Sequence, residues 1–378
     1  MLEKTRGAVG CGHCQRLGAT EICPLCGRPV CERCLTPDAC PSPGPRVIKL
    51  GVGRRLRAVD HSGRLGLVTS WWGRAQVLDL YTGSTRITRL PGRVGRPVPC
   101  LVAPDLMIKI PSPVSNLTPG LLSFIRLGLR RRKGHPAARE LQTGVGQIVE
   151  MGLSGDGHYI LLKGDTETLA LVDPREQRVQ AVLEMPRQVV YSGAANLEMD
   201  LAALGTYGRV GLFRISDRQP LGQVRLEQGG VVWVGLAGGR LVTITETCQL
   251  VVLEADPGRE PSRWERSLET RLDPDAVRHE SMAEVFGGMV PMRVWASLSG
   301  DGQLLVIRWR QGRELATFRL PRGLIQVFAG HSDTVNLVRF VGQGRMLVTG
   351  GADARVVFWP RVGHKMVPRP GPAGPAER

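Results

Sequence analysis

Short turn signals recur along this chain at near-constant intervals, and that recurrence constrains its fold more than any other feature. They stand as "HSGR" at Ser62, "APDL" at Pro104, "SGDG" at Ser154, "SGAAN" at Gly193, "AGGR" at Gly238, "SGDG" at Ser299 and "VGQG" at Gly342. Most spacings fall near the ~40–45 residues of a unit built from four short strands. The flanking runs alternate apolar and polar residues, the period of a half-buried strand. Composition agrees: 48 glycines and only 5% aromatic residues favour turns and short strands over long helices. One such unit cannot bury both of its faces, so copies must stack on one another. The gap from Gly238 to Ser299 is longer and holds "LDPDAVRHESMAEVFGG". With Asp273 as N-cap, Pro274 at the first helical position and Gly287 as a stop, residues 270–288 are expected to insert a helix there.

The clearest unit is "VFAGHSDTVNLVRFVGQGRMLVTGGADARVVFWP", Val327 to Pro360. It resembles a WD repeat: Gly330-His331 precedes a first strand with Val335, Val338 and Phe340, and "MLVT", "GGAD" and "RVVFW" follow in order. The resemblance implies a hydrogen-bond relay through His331, Thr349, Asp353 and Trp359, because a buried indole N–H and imidazole both need partners. These four residues then stabilise the fold and are not catalytic. Counted over the chain, seven turns imply an all-β, seven-bladed β-propeller. After "VVFWP" the last unit lacks a fourth strand, since "RVGHKMVPRP" is too rich in Pro and Gly. "RVIKLGV", Arg46 to Val52, alternates like a strand and is expected to complete that unit, closing the ring and removing an edge.

Seven of the nine cysteines lie between Cys11 and Cys40, spaced C-x2-C-x8-C-x2-C-x4-C-x2-C-x5-C. Paired C-x2-C knuckles suit tetrahedral zinc, each presenting two thiolates on a tight turn. Seven thiolates fall one short of two sites, and Asp38 or His13 could supply the eighth ligand; one zinc with spare cysteines is the alternative. The segment resembles the B-box class of cross-brace zinc fingers. That resemblance implies one site from Cys11, Cys14, Cys31 and Cys34, and a second from Cys23, Cys26 and Cys40 with Asp38. A thirty-residue segment has little core of its own, so metal would supply its stability, on the order of 10 kcal/mol per ion. "CPSPGPRV" then marks a boundary near residue 44, and the Pro-rich end reads as disordered. The expected organisation is 1–44 zinc module and linker, 45–360 propeller, and 361–378 tail.

The formal charge is +16, with only six Lys among 50 basic residues. Such a surface attracts nucleic acid, anionic membranes or acidic proteins. The Arg-rich, Gly- and Ala-rich composition has the bias of a GC-rich, bacterial genome. The loops between second and third strands include "SWWGR", "GTYGR" and "GADAR". They set Arg74, Arg209 and Arg355 at one repeat position, with Trp71, Trp72 and Tyr207 beside them. Trp, Tyr and Arg are enriched in binding hot spots and also stack on bases. The competing reading leaves the arginines solvated and packs the aromatics between units. In "GLLSFIRLGLRRRKGHP" the first half reads as the third strand of the second unit. Arg130, Arg131, Arg132 and Lys133 then form an exposed basic loop that could contact phosphates.

No P-loop, G-x-S-x-G, H-E-x-x-H or dinucleotide fingerprint occurs in the sequence. No apolar run approaches a membrane span, and "MLEKTRGAVG" lacks a signal-peptide core. The sequence therefore points to a cytoplasmic, non-enzymatic interaction scaffold with protein partners, zinc as its cofactor and no small-molecule substrate. Its architecture is similar to propeller components of bacterial multi-protein systems. A nucleic-acid-associated factor using the basic surface is the alternative.

Overall fold

The computed structural model describes residues 21–23, 29–30, 45–70, 75–87, 100–103, 106–109, 121–126, 138–164, 167–256, 258–273, 278–279, 292–309, 312–342 and 346–360. Two short strands, β1 (Glu21–Ile22) and β2 (Pro29–Val30), pair with each other, and β3 (Arg46–Lys49) follows. The first four-stranded sheet comprises β4 (Arg54–Val59), β5 (Leu65–Ser70), β6 (Ala75–Asp79) and β7 (Thr85–Ile87). The second comprises β8 (Cys100–Ala103), β9 (Leu106–Lys109), β10 (Leu121–Arg126) and β11 (Ala138–Gln142). The third comprises β12 (Ile148–Leu153), β13 (Ile160–Gly164), β14 (Thr168–Asp173) and β15 (Arg178–Glu184).

The fourth sheet is six-stranded: β16 (Ser192–Asn196), β17 (Leu201–Arg214), β18 (Pro220–Ala237), β19 (Arg240–Thr245), β20 (Gln249–Glu254) and β21 (Glu265–Arg271). A single 3-10 turn, Pro261–Arg263, precedes β21. A small pair, β22 (Arg278–His279) and β23 (Met292–Arg293), comes next. The fifth sheet comprises β24 (Ala296–Leu298), β25 (Leu304–Trp309), β26 (Glu314–Arg319) and β27 (Gly323–Ala329). The sixth begins with β28 (Val335–Val341), β29 (Met346–Gly351) and β30 (Arg355–Pro360). Every pairing is antiparallel.

The sixth sheet takes its fourth strand from the other end of the chain. β3 pairs with β30, Arg46 opposite Phe358 and Lys49 opposite Arg355. The expected closing strand is in place. The sheets complete a circle: β4, β8 and β12 touch in succession, β13 of the third sheet touches β16, β16, β18, β24 and β28 follow, and β28 touches β4. This is a β-propeller.

Two strands of the fourth sheet are longer than a sheet of this kind needs. Drawn straight, the 14 residues of β17 would hold its ends ~45 Å apart. Yet the Ile215 N–H donates to the Asp200 carbonyl at 3.1 Å. β17 therefore folds back on itself at Tyr207-Gly208, where the Thr206 hydroxyl donates to the Arg209 carbonyl. β18 changes partner midway: Pro220–Gly230 pairs with β17, and Val231–Ala237 pairs with β19.

The turns between first and second strands share one device. In the third sheet the Ser154 hydroxyl donates to Asp156 and accepts the Tyr159 N–H. In the fifth, Ser299 donates to Asp301 and accepts the Leu304 N–H. In the first sheet the roles are exchanged: Asp60 accepts both the Leu65 N–H and the Ser62 hydroxyl. A buried turn satisfies its backbone this way without water. Burial pushes the Asp60 carboxyl above the usual carboxylate range, against the Ser62 and Leu65 hydrogen bonds and the Arg339 charge. A raised carboxyl favours the fold when protonated, and that contribution is lost as pH rises through the folded value. Asp60→Asn, which keeps an acceptor for Leu65, should thus melt at a higher temperature than the parent at pH 7. The gap should close below about pH 4. Thermal unfolding across pH tests this, and a lower melting temperature for the variant at pH 7 would refute it.

Apolar clusters occupy the seams between sheets. Ile108, Leu122 and Phe124 meet Ile160 and Leu162. Leu169 and Leu183 meet Leu204 and Phe213. Val242 and Leu250 meet Leu305 and Phe318, and Val306 and Leu315 meet Phe340 and Trp359. At the closing seam Val348 and Phe358 meet Leu56, Val68 and Leu80. Each fully buried Leu or Phe contributes about 1.5–3 kcal/mol, so the sheets are held face to face by their own cores.

Two sequence expectations require correction. "SGAAN" is not a turn: residues 192–196 form β16, and Gly193 lies against the Leu169 side chain. The turn comes after it, where Asn196 Oδ1 accepts the Met199 N–H. Nor do residues 270–288 read as a helix where they are described. Glu265–Arg271 is strand β21, and Arg278–His279 pairs with Met292–Arg293 as strand. Residues 274–277 and 280–291 lie outside the described residues.

Candidate functional site

The four residues of the relay come together in the sixth sheet. Trp359 Nε1 donates to Thr349 Oγ1 at 2.9 Å, and Thr349 Oγ1 lies 2.9 Å from His331 Nε2. His331 Nδ1 lies 2.9 Å from Asp353 Oδ1. The Asp353 carboxylate only accepts, so the imidazole proton sits on Nδ1; Nε2 of the neutral ring then accepts the threonine proton, while Thr349 Oγ1 accepts from the indole. Burial opposes ionisation of Asp353. The His331 hydrogen bond and the N–H groups of Ser332 and Arg355 outweigh it, holding the carboxyl below the usual range. Trp359 also packs edge-on against Phe328, with centroids 4.8 Å apart. Every side-chain nitrogen and oxygen of the relay is spent on structure.

The innermost strands line a cavity of about 760 Å³ along the ring axis. Its polar wall includes His61, Asp156, His158, Lys163, Asp301 and Arg339. Arg339 reaches from β28 to the Ser154 carbonyl at 3.4 Å. Burial pushes the His61 imidazole below its ordinary value, and Arg339 adds to the effect. Its buried Nδ1 has no hydrogen-bond partner among the described residues. Trp233 and Trp295 supply the aromatic wall, and the Arg308 guanidinium stacks 3.5 Å from the Trp295 ring centroid. Sequence reading did not find this group. Its members come from different sheets, and only ring closure brings them to one axis.

At the rim, the structure separates the candidate binding residues. Tyr207 is at the tip of the β17 fold-back and 64% exposed. Arg209, next to it, reaches Gln223 Oε1 at 3.4 Å. Arg355 opens β30 in the sixth sheet and is exposed. Arg209 opens the second arm of β17, and Arg355 opens β30. Each faces a second cation on the next strand: Arg209 is opposite Arg225, and Arg355 opposite Lys49. Trp71, Trp72, Arg74, Arg130, Arg131, Arg132 and Lys133 lie outside the described residues.

Of the proposed zinc ligands, only Cys23 is described. It is fully buried, in the cluster that holds Leu50, Tyr81 and Phe358 at the closing seam. Arg46 of β3 ties this corner together, donating to the Cys23 carbonyl at 3.4 Å and to the Tyr81 carbonyl at 2.7 Å. Cys11, His13, Cys14, Cys26, Cys31, Cys34, Asp38 and Cys40 lie outside the described residues. Among the described residues no three His, Cys, Asp or Glu side chains form a metal-ligand group. No described helix is long and apolar enough to cross a membrane.

No protein-family model matches this chain, and no curated protein matches it in sequence. Among solved structures it is similar to the β-propeller domain of Cps50 (Swd1) from Myceliophteria thermophila. The identity is 14%, covering 84% of this chain and 100% of that one, with a TM-score of 0.57. The likeness is one of fold, and it agrees with the ring of antiparallel sheets closed by β3.

Proposed function

We propose that this chain is a non-catalytic protein-interaction scaffold: a seven-bladed β-propeller over residues 45–360, between a B-box-like zinc module with its linker (1–44) and a Pro-rich tail (361–378). Seven blades follow if the six-stranded sheet counts as two. β16, the two arms of β17 and the first half of β18 make one, and the second half of β18 with β19, β20 and β21 makes the next. The observation that carries the interaction reading is Tyr207, 64% exposed beside Arg209 at the tip of the β17 fold-back, whose second arm pairs with β18. Tyr and Arg are enriched among binding hot spots. The setting we infer is a bacterial, cytoplasmic multi-protein complex. A tagged pull-down from the native host, with and without nuclease and with and without residues 1–44, tests this. A specific protein partner that survives nuclease is expected. A bait emptied by nuclease rejects the scaffold.

The zinc module is part of the same proposal, with Cys11, Cys14, Cys31 and Cys34 at one site and Cys23, Cys26, Cys40 and Asp38 at the other. Cys23→Ser combined with Cys26→Ser should reduce the bound zinc measured on purified protein. Equal zinc content in the two proteins rejects the assignment.

A second reading, a nucleic-acid-associated factor, is favoured by the paired cations Arg209–Arg225 and Arg355–Lys49. Like charges directly opposite each other destabilise a sheet, and a phosphate backbone would relieve that repulsion. Such binding weakens steeply with salt, whereas an apolar protein interface barely responds.

A further inference from the structure

Among the described residues, the outermost strands of this ring carry charged side chains, with a single exception. β11 carries Arg139 and Glu140, β15 carries Arg178 and Glu184, and β21 carries Glu265, Arg266, Glu269 and Arg271. β3 carries Arg46 and Lys49, β7 carries Arg86, and the outer half of β18 carries Arg225. Charges on an edge strand prevent another chain from adding to the sheet. β27, Gly-Leu-Ile-Gln-Val-Phe-Ala, has no charged residue at all. It ends its sheet, with β26 on one side and no described strand on the other. It also exposes Leu324 (50%), Ile325 (41%) and Val327 (38%).

Cations stand at both ends of this apolar edge. Arg322 immediately precedes β27. Arg313 lies beside its far end, where the Arg313 carbonyl accepts the Gly330 N–H at 3.2 Å. Both side chains are exposed. Glu314, opposite Ala329, is acidic, but its Oε2 is buried. A second copy of the chain fits this edge poorly. Two antiparallel β27 strands would set Arg322 of one copy against Arg313 of the other at both ends, between molecules that each carry +16.

We propose that β27 is a docking edge for an extended segment of a partner protein, apolar in its middle and acidic at its ends. The segment adds to the fifth sheet as a fifth strand. Main-chain hydrogen bonds would hold it, alternate apolar side chains would cover Leu324, Ile325 and Val327, and its terminal carboxylates would meet Arg313 and Arg322. The proposal rests on the interaction reading above and names the partner's chemistry.

The test selects a displayed random-peptide library on the full chain and measures the enriched peptides as synthetic ligands. Alternating apolar sequences flanked by Asp or Glu are expected, with hydrogen-exchange protection confined to 323–329. Ile325→Lys and Val327→Lys, both at exposed positions, should weaken binding about tenfold or more. The double variant Arg313→Glu, Arg322→Glu should reverse the preference from acidic to basic flanks, which a merely structural role would not do. Peptides that bind these variants as well as the parent, or protect another surface, overturn the edge proposal and leave the scaffold reading standing. A library from which nothing binds anywhere brings down both. A concentration-dependent dimer abolished by Val327→Lys assigns the edge to a second copy and also overturns it.

Discussion

Thr349→Val should cost this protein about 3 kcal/mol of stability, although the two side chains have nearly the same shape. The Thr349 hydroxyl accepts from Trp359 Nε1 and faces His331 Nε2, each at 2.9 Å. Valine leaves both nitrogens buried without a partner, and each such group costs about 1–3 kcal/mol. Thr349→Ser keeps the hydroxyl and loses one methyl group, so it should cost only about 1 kcal/mol. Chemical denaturation of parent and both variants, with matched slopes, measures the difference. Equal losses for valine and serine would show that packing, not the relay, sets the cost. The relay also carries a pH signature. A carboxyl held below its usual range, as Asp353 is, adds stability that is present above about pH 4 and lost as pH falls through the folded value. Asp353→Asn should be less stable than the parent at pH 7, and the two should converge in acid.

Gly302→Ala and Gly238→Ala should each destabilise the fold by about 3 kcal/mol or more, from strain at positive φ added to overpacking. The two glycines lie in turns of neighbouring sheets that meet backbone to backbone. A Cβ on Gly238 (φ +55°) would lie 1.9 Å from the Asp301 carbonyl oxygen, and one on Gly302 (φ +67°) 2.3 Å from that of Ala237. Backbone atoms cannot rotate away as a side-chain tip can. Arg240 fixes the same junction, donating to the Gly302 carbonyl and to Glu254, each at 3.0 Å. Gly239 is the control. It too has positive φ (+74°), but no atom lies within 4 Å of its Cβ position, so Gly239→Ala carries the backbone strain alone, about 1 kcal/mol. If Gly239→Ala proves as damaging as its neighbours, the close approach of the two turns is not the cause. The double variant Gly238→Ala, Gly302→Ala should cost less than the two single losses combined, because both report on one contact.

Much of this architecture was legible where local chemistry repeats. The Ser-Gly-Asp-Gly turns at Ser154 and Ser299 carry their own hydrogen-bonding instructions, so sequence located them. The closing strand was legible because Arg46–Lys49 alternates and the last unit lacked a partner. "SGAAN" misled because glycine marks a turn in one setting and a close approach in another; beside Leu169 it is the second. The helix assigned to 270–288 rested on cap residues alone; Thr270 and Arg271 at its start pair with β20 instead, and Arg278–His279 pairs as strand. The axial group of His61, Asp156, Arg339 and Trp295 was illegible for a different reason. Nothing in the spacing of residues so far apart says that they share a cavity, and only the closed ring makes them neighbours. The charge-free edge of β27 was visible in sequence, but its meaning depended on knowing which strands lie outermost.

The shared sixth sheet also sets a timetable for synthesis. Arg46–Lys49 leaves the ribosome first, and its partner in β30 follows about three hundred residues later, roughly 15–60 s at ordinary elongation rates. Throughout that interval β3 has no sheet to join, and the first sheet has no neighbour on its β28 side. Earlier sheets can settle against one another as they emerge, but the circle locks only after the last strand is released. A nascent chain stalled before Arg355 would thus present two open ends to chaperones and proteases, and emergence of β30 becomes the step that seals the molecule.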